Sequence, residues 1–177
     1  MIRYLYPTKI KEVENVINAD GLFHKKDLQI GLNEPDIVKF QPNSAIVLDF
    51  GKEIRGGVRI LTYETQDIKC VRIRIRFGES LSECFAELGE KNATNDHSPR
   101  DIEADLSAWS DLCFGDTGFR FVRIDSLSDG WFCVKSIVAK SYELNKQPIY
   151  SYDGNDKLVS AIFDAAKRTI DLCSVGQ

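Results

Sequence analysis

The sequence predicts a mostly β protein: an antiparallel, jelly-roll-like β-sandwich followed by one C-terminal amphipathic α-helix. Three observations predict it. Short apolar runs recur with clusters of turn residues between them, as in chains built from many short strands. One run, "VRIRIRF", alternates strictly, with Val71, Ile73, Ile75 and Phe77 on one side and Arg72, Arg74 and Arg76 on the other. At the far end, Leu158, Val159, Ile162, Phe163, Ala166, Ile170 and Cys173 fall on one face of a helix.

In chain order, the first forty residues hold short apolar pieces, "IRYLY" and "EVENVI", between turn-rich stretches, and read as edge strands or an extended wrapping segment. "AIVLDFG" and "GVRILTYE", joined by "KEIRG", read as two strands paired with each other, with Gly56 and Gly57 at a bulge or tight corner. The alternating strand follows, then a shorter one, "DIEADL". "GFRFVRID" and "WFCVKSIVAKSY" flank the turn "DSLSDG", and Trp131, at the start of the latter, is expected in the core. "NKQP", residues 145–148, reads as a linker separating a domain at 1–150 from a segment at 151–177. The helix there has Asp153 or Asn155 as its N-cap, Asp156 in its first turn and Gly176 just beyond its end.

At 177 residues, 43% hydrophobic and 28% charged, the chain has the size and composition of one globular domain with a real core. No apolar run approaches the roughly 18 residues of a membrane-spanning helix. The formal net charge of −4 gives no footprint for nucleic acid. No signal peptide opens the sequence as given, which leaves the compartment open. Five cysteines, Cys70, Cys84, Cys113, Cys133 and Cys173, are widely spaced and lack a CxxC or Cys/His cluster, so they read as buried reduced thiols with no metal and no cofactor.

The Arg72, Arg74, Arg76 stripe has two readings: a groove offering directional hydrogen bonds to sugars or carboxylates, or the outer face of a sheet matched by acids on neighbouring strands, which is favoured. The loop "GEKNATNDHSPRD" concentrates Asn95, Asp96, His97 and Arg100, side chains able to hold a carbohydrate, unless they only tie down their own backbone. Trp109, in the polar "SAWSD" turn, suits a platform for stacking on a sugar face. No nucleophile elbow, HExxH or Cys/His signature occurs, so no catalytic residue is assigned.

Taken in order, "IVLDFGKEIRGGVRI", "IRIRFGES", "GEKNATNDHSPRD", "GDTGFRFVRID" and "YDGNDKLVSAIFDAAKRTIDLC" resemble bacterial α-L-rhamnosidases over about Ser44 to Cys173, with "YLYPTKI" near the start similar as well. The resemblance implies a non-catalytic β-sandwich running into the first helix of an (α/α)6 barrel. The inverting glutamates would lie beyond that helix, and the partners would be the barrel and rhamnose-containing glycans. A free-standing carbohydrate-binding module is the competing reading. Without a barrel, the helix is expected to fold back on the sandwich or to form a homodimer. If the Gly89–Asp101 loop borders an active site, Asp96→Ala combined with His97→Ala in the longer enzyme weakens rhamnoside turnover, and unchanged steady-state kinetics removes the loop from consideration.

Overall fold

The computed structural model describes residues 1–27, 29–66, 69–90, 100–143, 152 and 154–174. Its elements are β1 (Ile2–Leu5), β2 (Lys9–Ile17), β3 (Val38–Thr65), β4 (Val71–Gly78), α1 (Leu81–Phe85), β5 (Asp101–Leu106), β6 (Asp111–Ser126), β7 (Phe132–Tyr142) and α2 (Lys157–Cys173). The predicted class holds: an antiparallel, sandwich-like sheet and a C-terminal helix. The linker at 145–148, the N-cap candidate Asp153 and Gly176 lie outside the described residues. The helix is capped instead by Asp156, whose Oδ1 accepts from the N–H groups of Leu158 and Val159 at 2.8 and 3.2 Å.

The sandwich is one sheet bent back on itself. The first half of β3 pairs with β2 on one side and with the second half of β6 on the other, and β6 continues to β4 and β5. The second half of β3 pairs with the first half of β6 and with β7, whose other edge takes β1 and, at Phe132–Val134, the opening residues Val38–Phe40 of β3. "AIVLDFG" and "GVRILTYE" are therefore not partners but successive halves of one strand. The pairing inferred from their proximity fails because each takes its partners elsewhere: β2 and β6 for the first, β6 and β7 for the second.

The fold turns on the corner between those halves. Asp49 pairs with Phe121 and Ile54 with Phe119, so Phe50, Gly51, Lys52 and Glu53 form a bulge opposite the single residue Arg120, with the Phe50 ring turned into the core. Asp49 is fully buried and binds Arg120 through two hydrogen bonds of 2.9 and 3.0 Å, while accepting from the Gly51 N–H at 2.7 Å. Burial pushes its carboxyl toward the neutral form, but these hydrogen bonds and the charges of Arg120 and Lys11 outweigh that and hold it below the ordinary carboxylate range. Gly56 marks a second irregularity, as the sequence suggested, and has a positive φ of 149°.

Inside the bend, Ile46, Leu48, Ile54, Val58, Ile60, Ile73, Ile75, Phe77 and Val122 are buried together. Phe77 and Phe50 meet Phe119 edge-on, and Phe40 stacks on Phe132 at 4.6 Å. The alternation of β4 is realised as read, with all four apolar side chains fully buried. The N-terminal segment wraps the outside. Lys135 on β7, 4% exposed, donates to the Gln29 carbonyl and to Glu34 at 2.8 Å, an ion pair that is buried on both sides.

Three expectations need correction. Trp131 is half-buried rather than in the core, and Lys39 Nζ sits 3.9 Å from the centre of its ring. Among the five unpaired cysteines only Cys84 and Cys133 are buried; Cys70, Cys113 and Cys173 are exposed. The exposed face of α2 is the third. Leu158, Val159, Ile162 and Ile170 remain 40–70% exposed, because the helix meets the sandwich along a different stripe, through Arg168 and Leu172.

A Cβ on Gly56 would stand 1.9 Å from the Lys140 carbonyl oxygen. Gly56→Ala should therefore lower stability by roughly 2–5 kcal/mol, read as a lower urea midpoint at unchanged slope. Gly89→Ala, at φ 74° with open space around it, should cost only about 1 kcal/mol.

Candidate functional site

Of the residues singled out in the sequence, Asn95, Asp96 and His97 lie outside the described residues. Arg100 is 8% exposed and engaged by the fold: it donates to Glu79 at 2.7 Å and to Glu83 at 2.8 Å, joining the start of β5 to the end of β4 and to α1. Trp109 is 48% exposed and has a positive φ of 59° in the turn after β5. Its ring meets Tyr63 edge-on at 4.7 Å, and its N–H donates to the Tyr63 carbonyl at 3.1 Å. Arg100 and Trp109 flank opposite ends of β5, so the structure does not bring them together.

The arginine stripe is largely matched, as favoured. Arg72 pairs with Glu103 and Asp105, Arg74 with Asp101 and Glu87 at 2.5 Å each, and Arg76 with Asp125 at 3.0 Å. It is not simply solvated, however, since Arg76 is 7% exposed. The cause is α1, a helix that the sequence reading did not anticipate. Ser80 caps it, and its last residues bring the Phe85 carbonyl to 3.2 Å from Arg76 and the Phe85 ring to 4.7 Å from the Arg123 guanidinium.

A recess lies where α2 crosses the corner bulge. A cleft of about 570 Å³ is lined by Glu53, Arg55, Glu79, Gly118, Arg168 and Leu172, among others. The bulge places Glu53 here, and Arg168 donates to the Glu53 carbonyl, supplying a partner to backbone outside the strand ladder. A Cβ at Gly118 would be 3.1 Å from Glu53 Oε1 and 3.6 Å from Glu79 Oε1, so the two carboxyl groups face each other across that glycine. Burial, and then the charge of Glu79, push the Glu53 carboxyl up to about 7, partly countered by Arg100 and Arg168. A carboxyl that exchanges its proton near neutrality can donate or accept a hydrogen bond. No sequence motif marked this site, because Glu53, Glu79 and Arg168 come from three separate segments.

No family model matches the chain, and no curated protein does. Among solved structures, a rhamnosidase from Klebsiella oxytoca with rhamnose bound superposes with a TM-score of 0.67 at 15% identity, covering 98% of this chain and 36% of that one. A GH78 family rhamnosidase of Bacillus sp. GL1 gives 0.59 at 13% identity, covering 88% of this chain and 15% of that one. The C-terminal domain of a chitobiase from Bacteroides fragilis gives 0.50 at 13% identity, covering 81% of this chain and all of that domain. These likenesses are of fold. This chain spans well under half the length of either rhamnosidase.

The raised Glu53 carboxyl gives a pH dependence of definite sign. The folded cleft favours the protonated form, so the associated stability is complete below about 4.5 and is lost as pH rises through about 7. Glu53→Gln should flatten the dependence of thermal stability on pH across that interval. It should also slow hydrogen exchange of the α2 amides above neutrality. A variant that follows the same pH curve as the original rules Glu53 out as its source.

Proposed function

We propose that this chain is the non-catalytic β-sandwich domain of a rhamnosidase-type glycoside hydrolase, with α2 as the first element of an adjoining helical catalytic domain. The observation that carries the reading is the fold likeness to the Klebsiella oxytoca rhamnosidase, whose 98% coverage is too complete to leave out α2. The helix itself adds support. Its cap is well formed, yet its Leu158, Ile162 and Ile170 face is held away from the sandwich, as an element shared with a second apolar layer would be. In this role the domain divides at about residue 150. Residues 1–150 stabilise the assembly, and hydrolysis is performed by groups outside the chain.

The experiment compares this chain with the product of the whole reading frame that contains it, using p-nitrophenyl α-L-rhamnopyranoside. This chain alone should be inactive, and the whole product should release L-rhamnose with inversion, seen by NMR of the first-formed anomer. Turnover by this chain alone, or a whole product inert on rhamnosides, overturns the reading.

One observation favours a second reading, a carbohydrate-binding module. The exposed Trp109 ring is held rigidly against Tyr63 at the end of the sandwich, an arrangement suited to stacking on a pyranose. Under that reading soluble glycans quench tryptophan fluorescence and Trp109→Ala abolishes the change, whereas quenching that survives in the variant excludes Trp109 as the platform.

A further inference from the structure

The turn from β5 to β6 carries a tryptophan where the backbone is left-handed: Trp109 has φ 59°. A bulky side chain is rare in that region, and glycine or asparagine would make the same turn with less strain. Bonds on both sides of the residue hold it there. The Trp109 N–H donates to the Tyr63 carbonyl at 3.1 Å, the Thr62 N–H donates to the Ser110 carbonyl at 2.8 Å, and the Ser110 hydroxyl donates to the Ser107 carbonyl at 2.7 Å. Burial does not offset the strain, since Trp109 stays 48% exposed. A large ring fixed in an unfavourable conformation and left uncovered serves neither the turn nor the core, which points to contact with something outside the chain.

The surroundings of the ring define what it can take. Tyr63 and Glu64 share a bulge opposite the single residue Cys133 of β7. The Tyr63 ring lies at 61° to the Trp109 ring with centres 4.7 Å apart, so the two form an aromatic corner. The Tyr63 hydroxyl is already engaged, donating to the Leu32 carbonyl at 2.6 Å, and Leu32 is itself 83% exposed. Trp131 offers no such surface, because Lys39 Nζ stands 3.9 Å from the centre of its ring.

A ligand matched to this corner has an apolar face to lie on the indole and a small apolar projection to fill the angle between the rings. A pyranose supplies the face through its C–H bonds, and a methyl group on C5 supplies the projection. A hydroxymethyl group in the same place would give up water for a corner whose nearest hydroxyl is committed to Leu32.

We infer that Trp109 and Tyr63 form a receptor for a 6-deoxyhexose residue of a glycan, its C–H face stacked on Trp109 and its methyl group seated against Tyr63. This rests on the carbohydrate-binding-module reading and deepens it by naming the class of sugar.

The test is an amide chemical-shift titration of this chain with two matched pairs of glycosides. Methyl α-L-rhamnopyranoside is set against methyl α-L-mannopyranoside, and methyl α-L-fucopyranoside against methyl α-L-galactopyranoside; within each pair only the hydroxyl on C6 differs. At least one 6-deoxy glycoside should shift the amides of Tyr63, Glu64 and Trp109, and should bind about tenfold tighter than its 6-hydroxy counterpart. Trp109→Gly should abolish the response while the melting temperature holds or rises, because glycine relieves the left-handed strain. Equal or weaker affinity for the 6-deoxy member of both pairs overturns the inference and leaves the carbohydrate-module reading standing. Shifts that persist in Trp109→Gly overturn the site. No response to any of the four glycosides removes the inference and the module reading together, and the accessory-domain reading then stands or falls on its own rhamnoside assay.

Discussion

A buried carboxylate at a strand corner organises this molecule. Asp49 sits where β3 leaves one half of the sheet for the other, and Arg120 sits at the matching point of β6, seventy-one residues away. Their paired hydrogen bonds clamp both strands at the bend. The Asp49 carbonyl also accepts from the Thr8 N–H and hydroxyl at 2.8 and 2.9 Å, tying the entry of β2 to the same point. A carboxylate this deep is tolerated because the Arg120 guanidinium and the Gly51 N–H donate to it.

The cleft beside α2 is placed by that corner. To make it, β3 extrudes four residues, and the last of them is Glu53, the carboxyl that faces Glu79 across Gly118 and whose carbonyl receives Arg168 from α2. On the other side of the bend, the register of the five-stranded half lines charged side chains up across it. The corner thus serves two surfaces. One contacts the helix; the other is an outer sheet face whose arginines are paired with acids of neighbouring strands.

The functional reading follows the same division. An accessory sandwich needs a rigid body, a junction with its neighbour and no catalytic pair of its own. The ion-pair hub at Arg100 illustrates the first requirement: a residue that looked like a sugar contact in sequence is consumed in joining β4, α1 and β5. Trp109 illustrates the opposite case, since its ring stays available because the turn holding it is braced by Tyr63.

The sequence by itself determined that the chain is built mainly of strands, that it carries an amphipathic C-terminal helix, and which face of β4 and of α2 is apolar. These follow from periodicities of two and 3.6 residues that any short window displays. It also indicated that the β4 arginines would be matched by acids, because a charged sheet face requires it. The tertiary structure alone decided that "AIVLDFG" and "GVRILTYE" are halves of one bent strand, that Arg100 is structural, that Trp131 is only half covered, and that Glu53 meets Glu79 and Arg168. Each depends on contacts between residues far apart in the chain. A local pattern records which side of a strand is buried, but not which distant partner covers it.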